Sequence, residues 1–182
     1  MRSLAVAVLL CASSLPHSAL ADQELVISAG KGLDSTLIQR DSIAGAEMAG
    51  FSYAHDFASF SFDSGLWQWW VQGSYSYLWM DYRGDNQYQE VFELKPVLRW
   101  YPAGVYHGWL AEVGVGAAYL THKDFGEIEL STKPNFALHF VGGYRLQNGC
   151  SVSLRYSHFS NAYTNTPNPG FDFASLNWHF SF

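Results

Sequence analysis

Apolar and polar residues alternate one by one along much of this 182-residue chain. Between positions 66 and 81 the odd positions carry Trp67 and Trp69, whereas the even positions include Gln68 and Gln72. Successive side chains of a β-strand point to opposite faces of the sheet, so a period of two predicts strands with one apolar and one polar face. The same alternation recurs in segments 88–101, 135–147, 150–157 and 174–182.

The polar faces of these segments carry charged side chains. A charged face has no place in lipid, so we expect it to line a narrow lumen filled by side chains, while the apolar faces meet acyl chains. An internal charge network is expected there, formed by Glu93, Arg99, Glu112, Arg145 and Arg155.

Turn residues divide the chain into eight such segments. Eight is an even number and the smallest one common among transmembrane barrels. We therefore expect an all-β fold, an eight-stranded antiparallel transmembrane β-barrel with a side-chain-filled lumen. The first two segments alternate poorly, above all at 43–49. The predicted strands are 24–31, 43–54, 66–81, 88–101, 109–122, 135–147, 150–161 and 172–182.

The composition excludes the main alternatives. Hydrophobic residues make up 48% of the chain and aromatic residues 17%. Disordered chains have a low hydrophobicity and few aromatic residues, so disorder is excluded. Charged residues make up only 14%, against about 25% in soluble domains. No apolar run of about 18 residues, as a transmembrane helix needs, follows the N-terminus. A soluble β-sandwich also alternates, but the aromatic residues near the strand ends and at 178–182 favour a membrane barrel.

The N-terminus predicts the destination of the chain. Arg2 precedes an apolar stretch from 4 to 12, and Ala19-Leu20-Ala21 has the pattern of a cleavage site. We expect residues 1–21 to be a cleaved signal peptide and 22–182 to form one barrel domain, a multi-pass protein of the Gram-negative outer membrane. Cys150 would then be the only cysteine, which excludes an internal disulfide. The net charge of −6 argues against nucleic acid as a partner.

Three polar residues fall on the apolar face of the last two strands. His158 and Ser160 continue the apolar, even-numbered face of the seventh strand, and Asp172 continues that of the eighth. His158 and Ser160 lie two residues apart on one face, at about 6.5–7 Å between Cα atoms. If the hairpin is centred on Asn165, Asp172 lies opposite His158, with Cβ atoms about 4.5–5.5 Å apart.

These residue types form a serine nucleophile, a histidine base and a carboxylate that orients the histidine. Serine and histidine at strand ends are often only solvated rim residues, so this alternative stays open. Uncompensated polar groups against acyl chains are costly, however, and three of them on one lipid face point to a function.

The segment from His158 to Ala162, followed by Pro167-Asn168-Pro169-Gly170 and Asp172, resembles the PagL family of lipid A 3-O-deacylases. The resemblance extends to segments 95–97 and 112–118 and to the overall plan of a signal peptide and a small barrel. It implies that His158 is the base, Ser160 the nucleophile and Asp172 the third member of a triad. The family usually has Glu where this chain has Asp172.

The resemblance implies a hydrolase that removes the ester-linked 3-hydroxyacyl chain from position 3 of lipid A. The substrate would be lipopolysaccharide of the outer leaflet, approached from the flank of the barrel, and no metal or organic cofactor is needed. Asn161 is the candidate oxyanion-hole donor, although a turn-forming asparagine is the other reading. Asn168 and Gly170 are expected to shape the turn.

Two hypotheses remain open. The first is the lipid A deacylase that the resemblance implies, and the second is a non-catalytic outer-membrane barrel, structural or adhesive, of the OmpX type. A homodimer is among the assemblies that the sequence allows. The other histidines lie on different strands or loops, so we expect no metal site; His139 and His179 share the lumen face.

Overall fold

A computed structural model describes residues 22–34, 36 and 42–182. The expected signal peptide, residues 1–21, lies outside the described residues. Within the described part of the chain, no helix is long and apolar enough to cross a membrane.

Eight strands close into a barrel in which every neighbour is antiparallel. The order around the wall follows the chain, and the last strand pairs with the first, as in Leu25 opposite Phe180. Strands β6 and β7 form a separate two-stranded hairpin between β5 and β8. The strands are β1 Gln23–Gly32, β2 Glu47–Phe62, β3 Gly65–Tyr82, β4 Asp85–Tyr101, β5 Gly108–Leu120, β6 Asp124–Phe125, β7 Ile128–Glu129, β8 Pro134–Arg145, β9 Ser151–Ser160 and β10 Phe171–Ser181.

Each of the eight predicted segments corresponds to one strand of the barrel, which confirms the predicted fold class. The largest difference concerns the second segment, which was expected at 43–54. Residues 43–46 precede the strand, and Ile43 is buried inside the barrel end. At its other end the strand continues to Phe62, beyond the expected end at 54. A β-bulge between Asp56 and Ala58 shifts the register and breaks the alternation further along β2.

The barrel wall separates apolar from polar side chains as the alternation predicts. On β4, Leu94 exposes 62% of its surface on the outside, whereas the neighbouring Lys95 exposes 1%. The apolar outer wall and polar interior are the reverse of a soluble protein and are the distribution that a transmembrane barrel needs.

Ion pairs in the middle of the lumen confirm the expected network for Glu93, Arg99 and Glu112. Arg145 and Arg155 were expected there too, but Arg145 donates to the Tyr101 hydroxyl instead, and Arg155 forms no ion pair with the residues that the structure describes. Arg99 donates from Nη2 to Glu24 at 2.7 Å and from Nε to Glu112 at 2.5 Å. Lys95 pairs with Glu93 on the same strand. These pairs give Glu24, Glu93, Lys95, Arg99 and Glu112 the partners that buried charges require.

The lumen differs from the prediction at its ends, where it is apolar rather than polar. Residues 33–34, 36 and 42–46 and the connections at 83–84, 121–133 and 161–170 lie at one end of the barrel, which we call the site end. There Phe159, Phe171 and Phe173 point inward and pack with Phe125 and Ile128 of the β6–β7 hairpin. We call these five residues the apolar plug. The hairpin lies between the predicted strands 109–122 and 135–147, where the sequence predicts no strand.

Candidate active site

The outer face of β9 brings Tyr156, His158 and Ser160 into one row at the site end of the barrel. Asp172 lies on β10 directly opposite His158. This is the register that a hairpin centred on Asn165 predicts, and the structure confirms it. The three sequence-predicted residues therefore meet on the wall of the barrel and not in its lumen.

A continuous line of hydrogen bonds joins the three side chains. His158 Nδ1 lies 2.6 Å from Asp172 Oδ1, and His158 Nε2 lies 3.1 Å from Ser160 Oγ. With the proton on Nδ1, the imidazole donates to the carboxylate and accepts from the serine hydroxyl, which satisfies both contacts. A histidine held in this way can take the serine proton.

The carboxylate of Asp172 is buried, with 1% of the residue exposed, although it belongs to the outer wall. Tyr156 donates its hydroxyl to Asp172 Oδ2 at 2.7 Å, and Thr36 donates to the same oxygen. Thr36 belongs to the connection between β1 and β2. Both oxygens of the carboxylate thus have partners, and Oδ1 is the one that faces His158.

The apolar plug holds these strand ends in place from inside. Phe159 and Phe171 are directly opposite each other in the β9–β10 ladder and stack at 5.1 Å between ring centroids. They occupy the positions next to His158 and Asp172 but face the lumen. Packing of these rings fixes the two strands at the level of the site.

Asn161 forms bonds within the loop that follows β9. Its Nδ2 group donates to Ser131 Oγ at 2.7 Å and to Pro167 O at 3.1 Å, and its Oδ1 accepts from Tyr163 N at 2.9 Å. Its backbone N–H donates to Asn168 Oδ1 at 2.8 Å. In this conformation Asn161 shapes the loop, as the turn-forming reading expects.

A second serine–histidine pair, which sequence reasoning missed, lies inside the lumen. His179 Nε2 is 2.8 Å from Ser153 Oγ, and His179 Nδ1 is 2.9 Å from Glu24 Oε1. All three residues are at most 2% exposed, and Glu24 is also bound to Arg99. The pair matches a triad in its connections but has no exposed surface for a lipid.

Among residues 22–34, 36 and 42–182, no group of three or more His, Cys, Asp or Glu side chains is placed to hold a metal ion. His139 and His179 lie in the lumen on different strands, as their parity predicts.

The chain is similar in sequence and in structure to proteins of one family. The family model described as "Lipid A 3-O-deacylase (PagL)" matches residues 47–181. The lipid A deacylase PagL of Bordetella bronchiseptica is 31% identical over 109 residues, which are 59% of this chain. The chain matches 58% of the length of that relative. The crystal structure of the outer membrane enzyme PagL aligns with a TM-score of 0.74 and 20% identity, over 87% of this chain and 99% of that one.

Proposed function

Because the chain belongs to the lipid A 3-O-deacylase (PagL) family, we propose that it is an outer-membrane serine esterase that hydrolyses the ester-linked 3-hydroxyacyl chain at position 3 of lipid A. The observation that carries the proposal is the hydrogen-bonded line from Ser160 through His158 to Asp172 on the outer wall. The names of the similar proteins, a lipid A deacylase and an outer membrane enzyme, support it.

In the proposed reaction Ser160 Oγ attacks the ester carbonyl while His158 Nε2 takes its proton. Asp172 keeps the imidazole in the required tautomer and stabilises its protonated form. The tetrahedral intermediate expels the sugar oxygen, which receives the proton from His158. A water molecule, activated by the same imidazole, then hydrolyses the acyl-enzyme and releases the 3-hydroxy fatty acid.

The tetrahedral intermediate also needs hydrogen-bond donors aimed at its oxyanion. Asn161 remains our candidate, with the condition that its Nδ2 group releases Ser131 or Pro167 when substrate binds. Asn161→Ala should then lower kcat by about 10²–10³-fold. A lowered unfolding temperature with unchanged kcat would assign Asn161 to the loop alone.

The outward position of the site fits a substrate that is itself a membrane lipid. A lipid of the outer leaflet meets the barrel from its flank and reaches Ser160 without leaving the membrane. Ser153 in the lumen offers no such route, because it and its partners are buried. A non-catalytic barrel of the OmpX type does not account for the hydrogen-bonded Ser160, His158 and Asp172 on the outer wall, so we favour the enzyme.

The proposal is tested by incubating purified, refolded protein with lipopolysaccharide in detergent and measuring the mass of the lipid A. The wild-type protein should remove one 3-hydroxyacyl chain, and Ser160→Ala should remove none. Ser153→Ala is the matched control and should retain activity. Unchanged lipid A with wild-type protein in several detergents would contradict the proposed function.

A further inference from the structure

Tyr156 makes a contact that the proposed reaction does not itself require. It lies on the outer face of β9, two residues before His158, and donates its hydroxyl to Asp172 Oδ2 at 2.7 Å. A tyrosine in the aromatic girdle of a barrel normally directs its hydroxyl to the water interface. This one directs it to a buried carboxylate.

The strand register explains how the hydroxyl reaches Asp172. Ala174 lies directly opposite Tyr156, and Asp172 is the next residue on the same face of β10. Diagonal neighbours of this kind are about 7–8 Å apart between Cα atoms, within reach of an aromatic side chain. Because Ala174 carries only a methyl group, the ring can extend across it toward the acid.

The contact fixes which carboxylate oxygen His158 meets. Rotation of an aspartate carboxylate about its last bond has a broad energy profile, so contacts from outside must set its orientation. Tyr156 and Thr36 both donate to Oδ2, which leaves Oδ1 for His158 Nδ1. Two donors on one oxygen and the imidazole on the other define a single orientation of the group.

We propose that Tyr156 is a positioning residue that acts on the histidine through Asp172, an inference that rests on the proposed function. Its hydroxyl holds the short aspartate side chain in the orientation that aligns His158 with Ser160. Thr36 assists from the connection between β1 and β2. Neither residue is assigned a contact with the substrate.

The test is a double-mutant cycle on deacylation kinetics. Tyr156→Phe removes only the hydroxyl and should lower kcat roughly 5- to 50-fold with KM unchanged, because misalignment of a catalytic group slows the chemical step. In an Asp172→Asn background the same substitution should change kcat less than about twofold, because the carboxylate it orients is gone. Thr36→Val should show the same dependence with a smaller loss.

Tyr119→Phe is the matched control. Tyr119 lies near the site end on the outer face of β5 and is 48% exposed, so its variant should keep the wild-type kcat. An unchanged kcat in Tyr156→Phe would overturn the inference. An equal loss in the presence and absence of the Asp172 carboxylate would also overturn it, because it would show that the hydroxyl does not act through Asp172.

A second readout separates this inference from the proposed substrate. A fluorophosphonate reacts with an activated serine by losing fluoride as the serine oxygen bonds to phosphorus, and no lipid A is involved. Labelling of Ser160 should be slower in Tyr156→Phe than in wild type. If wild-type protein is labelled but leaves lipid A intact, the proposed function fails while the slower labelling of Tyr156→Phe still supports the positioning role. Equal labelling rates would contradict it.

Discussion

Asp172 is a position at which this chain differs from the family motif that it otherwise resembles. Its side chain is one methylene shorter than the Glu that the resemblance leads us to expect, yet its carboxylate lies 2.6 Å from His158 Nδ1. Direct opposition in the β9–β10 ladder brings the two residues close enough for the shorter arm. The sequence predicted that both residues lie on the apolar face of their strands, because parity is a local property. The hairpin centre at Asn165 was an assumption, and the observed register agrees with it.

Two replacements of Asp172 should separate the effect of its negative charge from the effect of its side-chain length. Asp172→Asn should lower kcat by about 10³–10⁴-fold, because the amide favours the wrong histidine tautomer. Asp172→Glu keeps the charge and should lose roughly tenfold or less, since it differs by a small displacement of the carboxylate. The measurement is kcat for deacylation of lipopolysaccharide. Wild-type activity in both Asp172→Asn and Asp172→Glu would show that Asp172 is not the third member of the triad.

The strands could be predicted where both faces alternate and not where the alternation fails. Residues 43–46 were expected in β2 but lie before it, because Ile43 packs inside the barrel end. The β6–β7 hairpin was missed because its two strands have only two residues each. Sequence also gives no signal for the bulge near Asp56, which depends on pairing with β3.

The close approach of β4 and β5 requires glycine at position 116, where a Cβ would meet backbone atoms. A Cβ on Gly116 would lie 2.4 Å from Leu94 O and 2.4 Å from Lys95 Cβ. Gly116→Ala should therefore lower the free energy of unfolding by about 1–3 kcal/mol. Thermal unfolding in detergent measures the change.

Gly142 on β8 supplies the control for that substitution. A Cβ there would meet no atom within 4 Å, so Gly142→Ala should unfold like the wild type. Equal unfolding temperatures for both variants would show that β4 and β5 can separate without cost at Gly116.

Over the whole molecule, the strands of the barrel wall and their two faces could be predicted from the sequence. The contacts among the side chains that fill the lumen could be predicted only in part. The charged residues of the polar faces revealed the network around Arg99. The partner Glu24, by contrast, lies 75 residues away, and it joins the network only because β1 closes the barrel against β10. The apolar plug was missed for a similar reason. Phe159, Phe171 and Phe173 lie on strand faces that are polar further along β9 and β10, and Phe125 and Ile128 of the β6–β7 hairpin meet them only in the folded barrel.

The central network should contribute more to stability than an exposed ion pair. Arg99→Ala leaves the carboxylates of Glu24 and Glu112 without their guanidinium partner and should cost about 3–5 kcal/mol. Lys31→Ala removes an exposed pair with Glu47 and should cost about 0–1 kcal/mol. Thermal unfolding of both variants in detergent tests the difference. Similar unfolding temperatures would show that the lumen network adds no stability.

Ser160 on the outer wall is expected to react, and Ser153 in the lumen is not. The most direct measurement is to label the folded wild-type protein with a fluorophosphonate and locate the adduct by peptide mass spectrometry. We predict the adduct on Ser160, and no labelling of Ser160→Ala. An adduct on Ser153, or labelling that persists in Ser160→Ala, would contradict the assignment of Ser160 as the nucleophile.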